Sequence, residues 1–154
     1  MARENVLWKW LKRGAPKVKD FQMERVENGV ASGTPDTDGC WEGDCFKIEL
    51  KRSPDRTDGS VQVKFRPLQM PWLRKYWLAG GNGWVLLAVG EGHSVKRFLI
   101  KGCDLNDENF NEVRRDPGAV IVEISLEDLD ELSVIEPNAT PLQVLQSACM
   151  KVGS

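Results

Sequence analysis

Residues 46–51 read FKIELK, a run in which apolar and charged side chains alternate without a break. A strict two-residue period marks a half-buried strand, because successive Cβ atoms point to opposite faces. Phe46, Ile48 and Leu50 share one face, and Lys47, Glu49 and Lys51 share the other. A slip of one residue would bury Glu49 and Lys51, so the facing of this strand is tightly specified. Glu49 and Lys51 then stand ~7 Å apart on one side of a sheet whose other side is core.

The rest of the chain reads as elements around that strand. ENVLWKWLKRG (4–14) predicts a helix with Val6, Leu7, Trp10 and Leu11 as its apolar stripe, Lys9, Lys12 and Arg13 off it, and Gly14 as its stop. FQMERVENGV (21–30) reads as extended and leads to a glycine-rich turn, ASGTPD. SPDRTDGSVQVKF (53–65) reads as a polar loop ending in a short strand. RPLQMPWLRKYWLAGG (66–81) predicts a helix opened by proline and closed by Gly80-Gly81. GWVLLAVG (83–90) has the uniform apolarity of a fully buried strand, and VKRFLIKG (95–102) that of a more exposed one. LNDENFNEVRRD (105–116) is expected to be a helix and AVIVEIS (119–125) a strand. Two short helices follow, capped by Ser125 and Thr140. This order predicts an α/β sandwich around a mixed sheet.

The 154 residues suit one domain, 1–154, with a core over about 1–102 and a C-terminal helical elaboration over about 103–154. At 41% hydrophobic and 29% charged residues, a packed core is expected and disorder is not. No apolar run approaches the ~18 residues of a membrane span. The N-terminus has neither an apolar h-region nor a small-residue cleavage site. A cytoplasmic location, in a host cell if the chain is virus-encoded, and no membrane partner are therefore expected.

His93 is the single histidine, which excludes HNH-type nucleases, two-histidine zinc sites and histidine-paired metal phosphodiesterases. Cys40, Cys45, Cys103 and Cys149 form no Cys-x-x-Cys pair, and no spacing supports zinc held by Cys40, Cys45, Cys103 and His93. In a reducing compartment all four cysteines are expected as thiols, packed or idle. The net charge is −2, but six of the 23 acids and only Lys151 among the 21 bases lie at or beyond residue 123. The chain before that point is therefore mildly basic, and an acidic tail masks it.

Two Pro-Asp pairs flank the alternating strand, Pro35-Asp36 and Pro54-Asp55. Asp36 follows a turn in which Gly33 permits an unusual backbone and Pro35 stiffens the exit. A short strand and turn over DTDGCWEGDC can bring Asp36 beside Glu49. Two carboxylates and a main-chain carbonyl make a hard oxygen site suited to Mg²⁺, and Mn²⁺ is expected to substitute. Such an ion can polarise a phosphate and acidify water, while a neighbouring lysine positions that water or neutralises charge on the phosphorane. The plainer reading is a surface hairpin with a cross-strand lysine–glutamate pair, and spacing alone leaves both open.

RVENGVASGTPD, then IELK, then RPLQMPWLRKYWLAGG, then WVLLAVG resembles the PD-(D/E)XK nucleases. It looks like their small virus-type, Holliday-junction-resolvase-like members, near the VRR-NUC group. The resemblance spans about Arg25–Gly90, with a fainter match through RFLIKG. It implies a restriction-endonuclease-like core, with Asp36 and Glu49 as metal ligands, the carbonyl of Leu50 as a further ligand and Lys51 as the water-orienting lysine. Gln69 matches a glutamine such enzymes place beside the site; its alternative is a local bond at the helix start. Glu27 is the preferred upstream acid, with Glu4 as the alternative. Asp55 falls after Glu-x-Lys, the wrong order, and reads as a Ser-Pro-Asp turn.

Arg52, Arg56, Lys64, Arg66, Arg74 and Lys75 lie around the site in sequence and are candidates for DNA phosphates. Trp10, Trp72 and Trp84 read as core. Trp8 is a candidate for stacking on DNA or for partial burial at a dimer contact or surface. The resemblance implies a Mg²⁺-dependent endodeoxyribonuclease, structure-selective for Holliday junctions or branched DNA, acting as a homodimer. A site-specific nicking or homing-type enzyme and a non-catalytic DNA- or protein-binding module are the competing readings.

Overall fold

The computed structural model describes residues 2–26, 33–54 and 59–149, with the side chains of 2–4 left aside. Helix α1 (Ala2–Lys12) is followed by β1 (Phe21–Arg25), β2 (Thr37–Trp41), β3 (Asp44–Ser53) and β4 (Ser60–Phe65). Helix α2 (Gln69–Leu78) leads to β5 (Gly83–Val89) and β6 (Lys96–Lys101). Strands β7 (Asn111–Asp116) and β8 (Ala119–Ser125) and helices α3 (Leu126–Leu132) and α4 (Pro141–Cys149) complete the chain.

Five strands form one sheet in the order β1-β2-β3-β5-β6, parallel only between β3 and β5. Strands β4, β8 and β7 form a second, antiparallel sheet. The two faces of β3 separate as the sequence predicts, but the strand is covered on both sides instead of one, so Glu49 is buried and Lys51 nearly so. Phe46, Ile48 and Leu50 join Trp84, Leu86, Ala88 and Leu99 in a core sealed by Leu7 and Leu11 of α1 and Val144, Leu145 and Ala148 of α4. Trp84 is fully buried and its indole N–H donates to the carbonyl of Ala148 at 3.1 Å, so its polar tip is satisfied inside the core. The other face of the large sheet presents Val85, Leu87, Val89, Phe98 and Ile100 to Met70 and Leu73 of α2 and to the inward residues of the second sheet. Strand β5 is buried along its whole length, as a strand covered on both faces must be.

The β2–β3 hairpin turns in two residues. Glu42 and Gly43 both have positive φ, 50° and 87°, the backbone that matches strand twist in a two-residue hairpin loop. Its register pairs Cys40 with Cys45, and the two are joined as a disulfide. The expectation of four thiols is therefore corrected at this pair, which only the hairpin register brings together. Cys103 and Cys149 are free.

Three other expectations change. Residues 105–116 form no helix: they pass through turns into β7, whose residues are all exposed. An edge strand with neither face buried lacks the apolar alternation that would reveal it. On α1, Val6 is exposed instead of lying on the stripe, and Leu7 and Leu11 carry the burial, with Trp8 and Trp10 partly buried beside them. Trp72 is only half-buried, stacked on Tyr76 at 5.0 Å between ring centroids. The two C-terminal caps form as expected. Ser125 Oγ accepts from the N–H of Asp128, and Thr140 and Gln143 exchange side-chain-to-backbone bonds at 3.2 and 2.8 Å. No helix among the described residues is long and apolar enough to cross a membrane.

Candidate active site

Glu49 and Lys51 leave β3 on the face turned toward α2, level with Val85 and Leu87 of β5. Glu49 is 3% exposed and the Lys51 side chain 11%. Each needs partners at that depth, since an uncompensated buried charge is strongly destabilising. Their nitrogen and oxygen lie 3.5 Å apart. Gln69, the first residue of α2 and itself 2% exposed, bridges them. Its Oε1 accepts from Lys51 Nζ at 2.9 Å and from the Arg66 N–H at 2.8 Å, while its Nε2 donates to Glu49 Oε2 at 2.9 Å. The amide orientation follows: an ammonium can only donate and a carboxylate accepts, so the oxygen faces Lys51 and the nitrogen faces Glu49. Lys51 Nζ also lies 5.0 Å over the ring of Phe65, at the end of β4.

Asp36 arrives from the neighbouring strand. It immediately precedes the Thr37–Ile48 pair, which sets it at the level of Glu49 and Leu50. Its Oδ1 accepts the Leu50 N–H at 3.1 Å, and its own carbonyl accepts from Val26 N–H at 2.8 Å. Gly33 has φ of 72°, and a Cβ there would stand 2.5 Å from the carbonyl oxygen of Leu68. The turn before Asp36 is therefore packed against the residue that caps α2, next to Gln69. A side chain at 33 would push apart the two segments that meet at the site.

The structure thus brings together Asp36, Glu49, Lys51 and Gln69, with the Leu50 backbone between the two acids. Asp36 and Glu49 offer hard oxygen donors of the kind a divalent cation such as Mg²⁺ takes. Among the described residues no group of three His, Cys, Asp or Glu side chains converges on a metal position. Glu27 lies outside the described residues, as do Asp55 and Arg56, and the side chain of Glu4 is likewise not described.

The remaining basic candidates are scattered. Arg66 adjoins the site through its own N–H, and it lines a cleft of about 70 Å³ with Arg74, Arg115, Asp107 and Glu112. The Nε of Arg66 is buried with no hydrogen-bond partner among the described residues. Arg74 donates to the carbonyl of Leu105. Arg115 is held by Glu112 at 2.7 and 3.1 Å, which depresses the glutamate's pKa and raises the arginine's. Lys64 and Lys75 are exposed. Arg52 leaves β3 on the face opposite Lys51 and donates to the carbonyl of Gly90 at 3.2 Å.

Sequence reasoning missed Phe65 as the lysine's aromatic neighbour, although VQVKF already alternates with Phe65 inward. It also missed Ser53, whose hydroxyl donates to the Gln62 carbonyl at 2.6 Å and ties β3 to β4. No pattern in the sequence signals that contact.

No family profile matches the chain. No curated protein matches it either. Among solved structures, Hjc of Archaeoglobus fulgidus, described as a Holliday junction resolvase from an archaeal hyperthermophile, superposes with a TM-score of 0.54 at 14% sequence identity, over 96% of this chain and 99% of that one. The chain has the same restriction-endonuclease-like α/β fold, a mixed sheet with flanking helices, as that resolvase.

Proposed function

We propose that the protein is a metal-dependent endodeoxyribonuclease that hydrolyses phosphodiester bonds and selects branched or junction DNA by structure. The observation that carries this reading is the buried Glu49–Gln69–Lys51 bridge with Asp36 tied to the intervening Leu50 backbone. A purely structural hairpin has no need to bury a carboxylate and an ammonium and then orient both with one amide. The junction part of the reading leans on the fold shared with the archaeal resolvase.

In this reading Asp36, Glu49 and the Leu50 carbonyl hold Mg²⁺, with Mn²⁺ able to replace it, and Glu27 (or else Glu4) is the upstream acid. When bound, the ion supplies positive charge to the scissile phosphate and lowers the pKa of water. Lys51 holds the attacking water and offsets the negative charge that grows on the phosphorane. Gln69 keeps the Lys51 ammonium aimed by accepting a hydrogen bond from one of its three N–H groups, and it holds Glu49 in one rotamer. Arg66 and Arg74, with Lys64, Lys75 and Arg56, are the cations proposed to grip backbone phosphates beside the cut; Arg52, expected among them from sequence, points to the opposite face of the sheet. Resolving a junction needs two such sites, so a homodimer is part of the proposal.

The test is a cleavage panel of four-way junction, flap, single-stranded and linear duplex DNA, with Mg²⁺, with Mn²⁺ and with chelator. Metal-dependent cutting that favours the four-way junction is expected. Equal cutting of linear duplex at fixed sequences would instead mark a site-specific enzyme, and no cutting of any form would overturn the reading.

A further inference from the structure

On the face of the large sheet turned away from Lys51, three arginines gather, and no ion pair among the described residues neutralises them. Arg52 pairs with Ala88 across β3 and β5, and Ala88 pairs with Arg97 across β5 and β6. The two arginines therefore flank one alanine at one level, on the side where Ala88 meets the α1–α4 core. The Arg97 guanidinium lies 3.9 Å from the ring centroid of Trp10 on α1. Arg13 follows at the end of the same helix. The pKa of Arg97 is lowered, first by burial and then by the charges of Arg52 and Arg13, so both cations lie within electrostatic reach of its partly buried guanidinium.

Their hydrogen bonding is incomplete. Arg97 Nε is buried with no partner among the described residues. Arg52 gives one N–H to the Gly90 carbonyl. None of the ion pairs seen among the described residues involves Arg13, Arg52 or Arg97. A stacking role on Trp10 explains one arginine, but not the approach of two more. Like charges held together and short of acceptors are stabilised by an anion with several oxygens, and guanidinium forks match phosphate in geometry as well as in charge. Lys9 and Lys12, exposed on α1, extend the positive field outward.

We infer that Arg13, Arg52 and Arg97 form a phosphate-binding site on the α1 face of the large sheet, separate from the Glu49–Lys51 face. The ligand is a phosphate group, carried either by a nucleic-acid backbone or by a free polyphosphate. Only the nucleic-acid form rests on the nuclease reading.

The test uses the full chain in chelator, with inorganic pyrophosphate as one probe and labelled four-way-junction DNA as the other. The variant is Arg13→Gln with Arg52→Gln, which keeps the Arg97–Trp10 stack. Millimolar pyrophosphate is expected to raise the melting temperature of the unaltered protein and not of the variant. Junction affinity is expected to fall at least ~5-fold, and the log–log salt dependence to become shallower by about two, one per lost phosphate contact. A pyrophosphate response with unchanged DNA affinity assigns the site to free polyphosphate, and the converse assigns it to backbone. Arg13→Gln alone, at an exposed helix end, gives a weaker change of the same sense if the double variant folds poorly. No difference between variant and unaltered protein with either probe overturns the site. Glu49→Gln is expected to keep the pyrophosphate response, so loss of cleavage and loss of this site are read independently.

Discussion

Gln69 Oε1 lies 2.9 Å from Lys51 Nζ, and the same amide reaches Glu49 through its nitrogen. Gln69→Leu removes these two bonds and the one from the Arg66 N–H, so Lys51, Glu49 and that N–H each lose one partner. Unfolding in urea is expected to show a loss of ~1–3 kcal/mol, the cost of unsatisfied buried groups. Junction cleavage is expected to fall at least ~10-fold, because an unaimed lysine spends less time at the attacking water. A full rate in a destabilised variant would limit Gln69 to a structural role.

Asp36→Asn and Lys51→Ala are each expected to lower cleavage by at least ~100-fold, with circular dichroism unchanged. Lys51→Ala also leaves a glutamate 3% exposed without its ammonium, so a stability loss of up to ~3 kcal/mol is expected. Asp55→Ala, in the second Pro-Asp pair, is expected to cleave at the normal rate. A dead Asp55→Ala protein would show that the wrong aspartate has been assigned.

Divalent metal should be visible without any substrate. A ligand that binds only the folded state stabilises it by about 2.7 kcal/mol at a hundred times its dissociation constant. Mg²⁺ or Mn²⁺ is therefore expected to raise the melting temperature of the unaltered protein. Glu49→Gln removes a charged donor and should abolish most of that rise; an unchanged rise would place the metal elsewhere.

The Cys40–Cys45 bridge closes a six-residue loop across a hairpin that is already in register. Chain-entropy arguments give about 2 kcal/mol for so short a loop. Reduction, or Cys40→Ser with Cys45→Ser, is expected to lower stability by that amount or less. Alkylation with and without reductant, read by mass spectrometry, counts the thiols: two free cysteines before reduction and four after.

Burial pushes the Cys149 thiol up to about 11, with Asp44 adding to the effect. The unfolded chain, with its thiol near 9, then loses the proton first as pH rises. The contribution to stability is complete below about pH 9 and is lost as pH climbs toward 11. Cys149→Ala should flatten this part of the stability curve relative to the unaltered protein. Overlapping curves for the two proteins from pH 8 to 11 would refute the assignment.

The parts of the site legible in the sequence are those written in period or in order. Alternation in FKIELK sets which face Glu49 and Lys51 share, and motif order points to Asp36, which the structure ties to the Leu50 N–H. The position of Gln69 at a helix start after the strand is likewise read from order. What escaped depends on register between distant segments. Cys40 meets Cys45 only through the hairpin, Phe65 reaches Lys51 only once β4 crosses the α2 side, and Arg97 meets Arg52 only across β5. Strand β7, exposed on both faces, carries no apolar alternation to set it apart from a helix.

Strand β3 is the middle strand of five, with paired neighbours on both edges and packed layers on both faces. Local fraying proceeds from edges and ends, so the amides of a central strand exchange with solvent only through the largest openings of the molecule. Two of the four proposed site residues, Glu49 and Lys51, are therefore carried by the segment that lets go last. Denaturant should leave the Glu49–Lys51 pair assembled until the cooperative transition itself, with no partly opened form that keeps the fold and has already lost it.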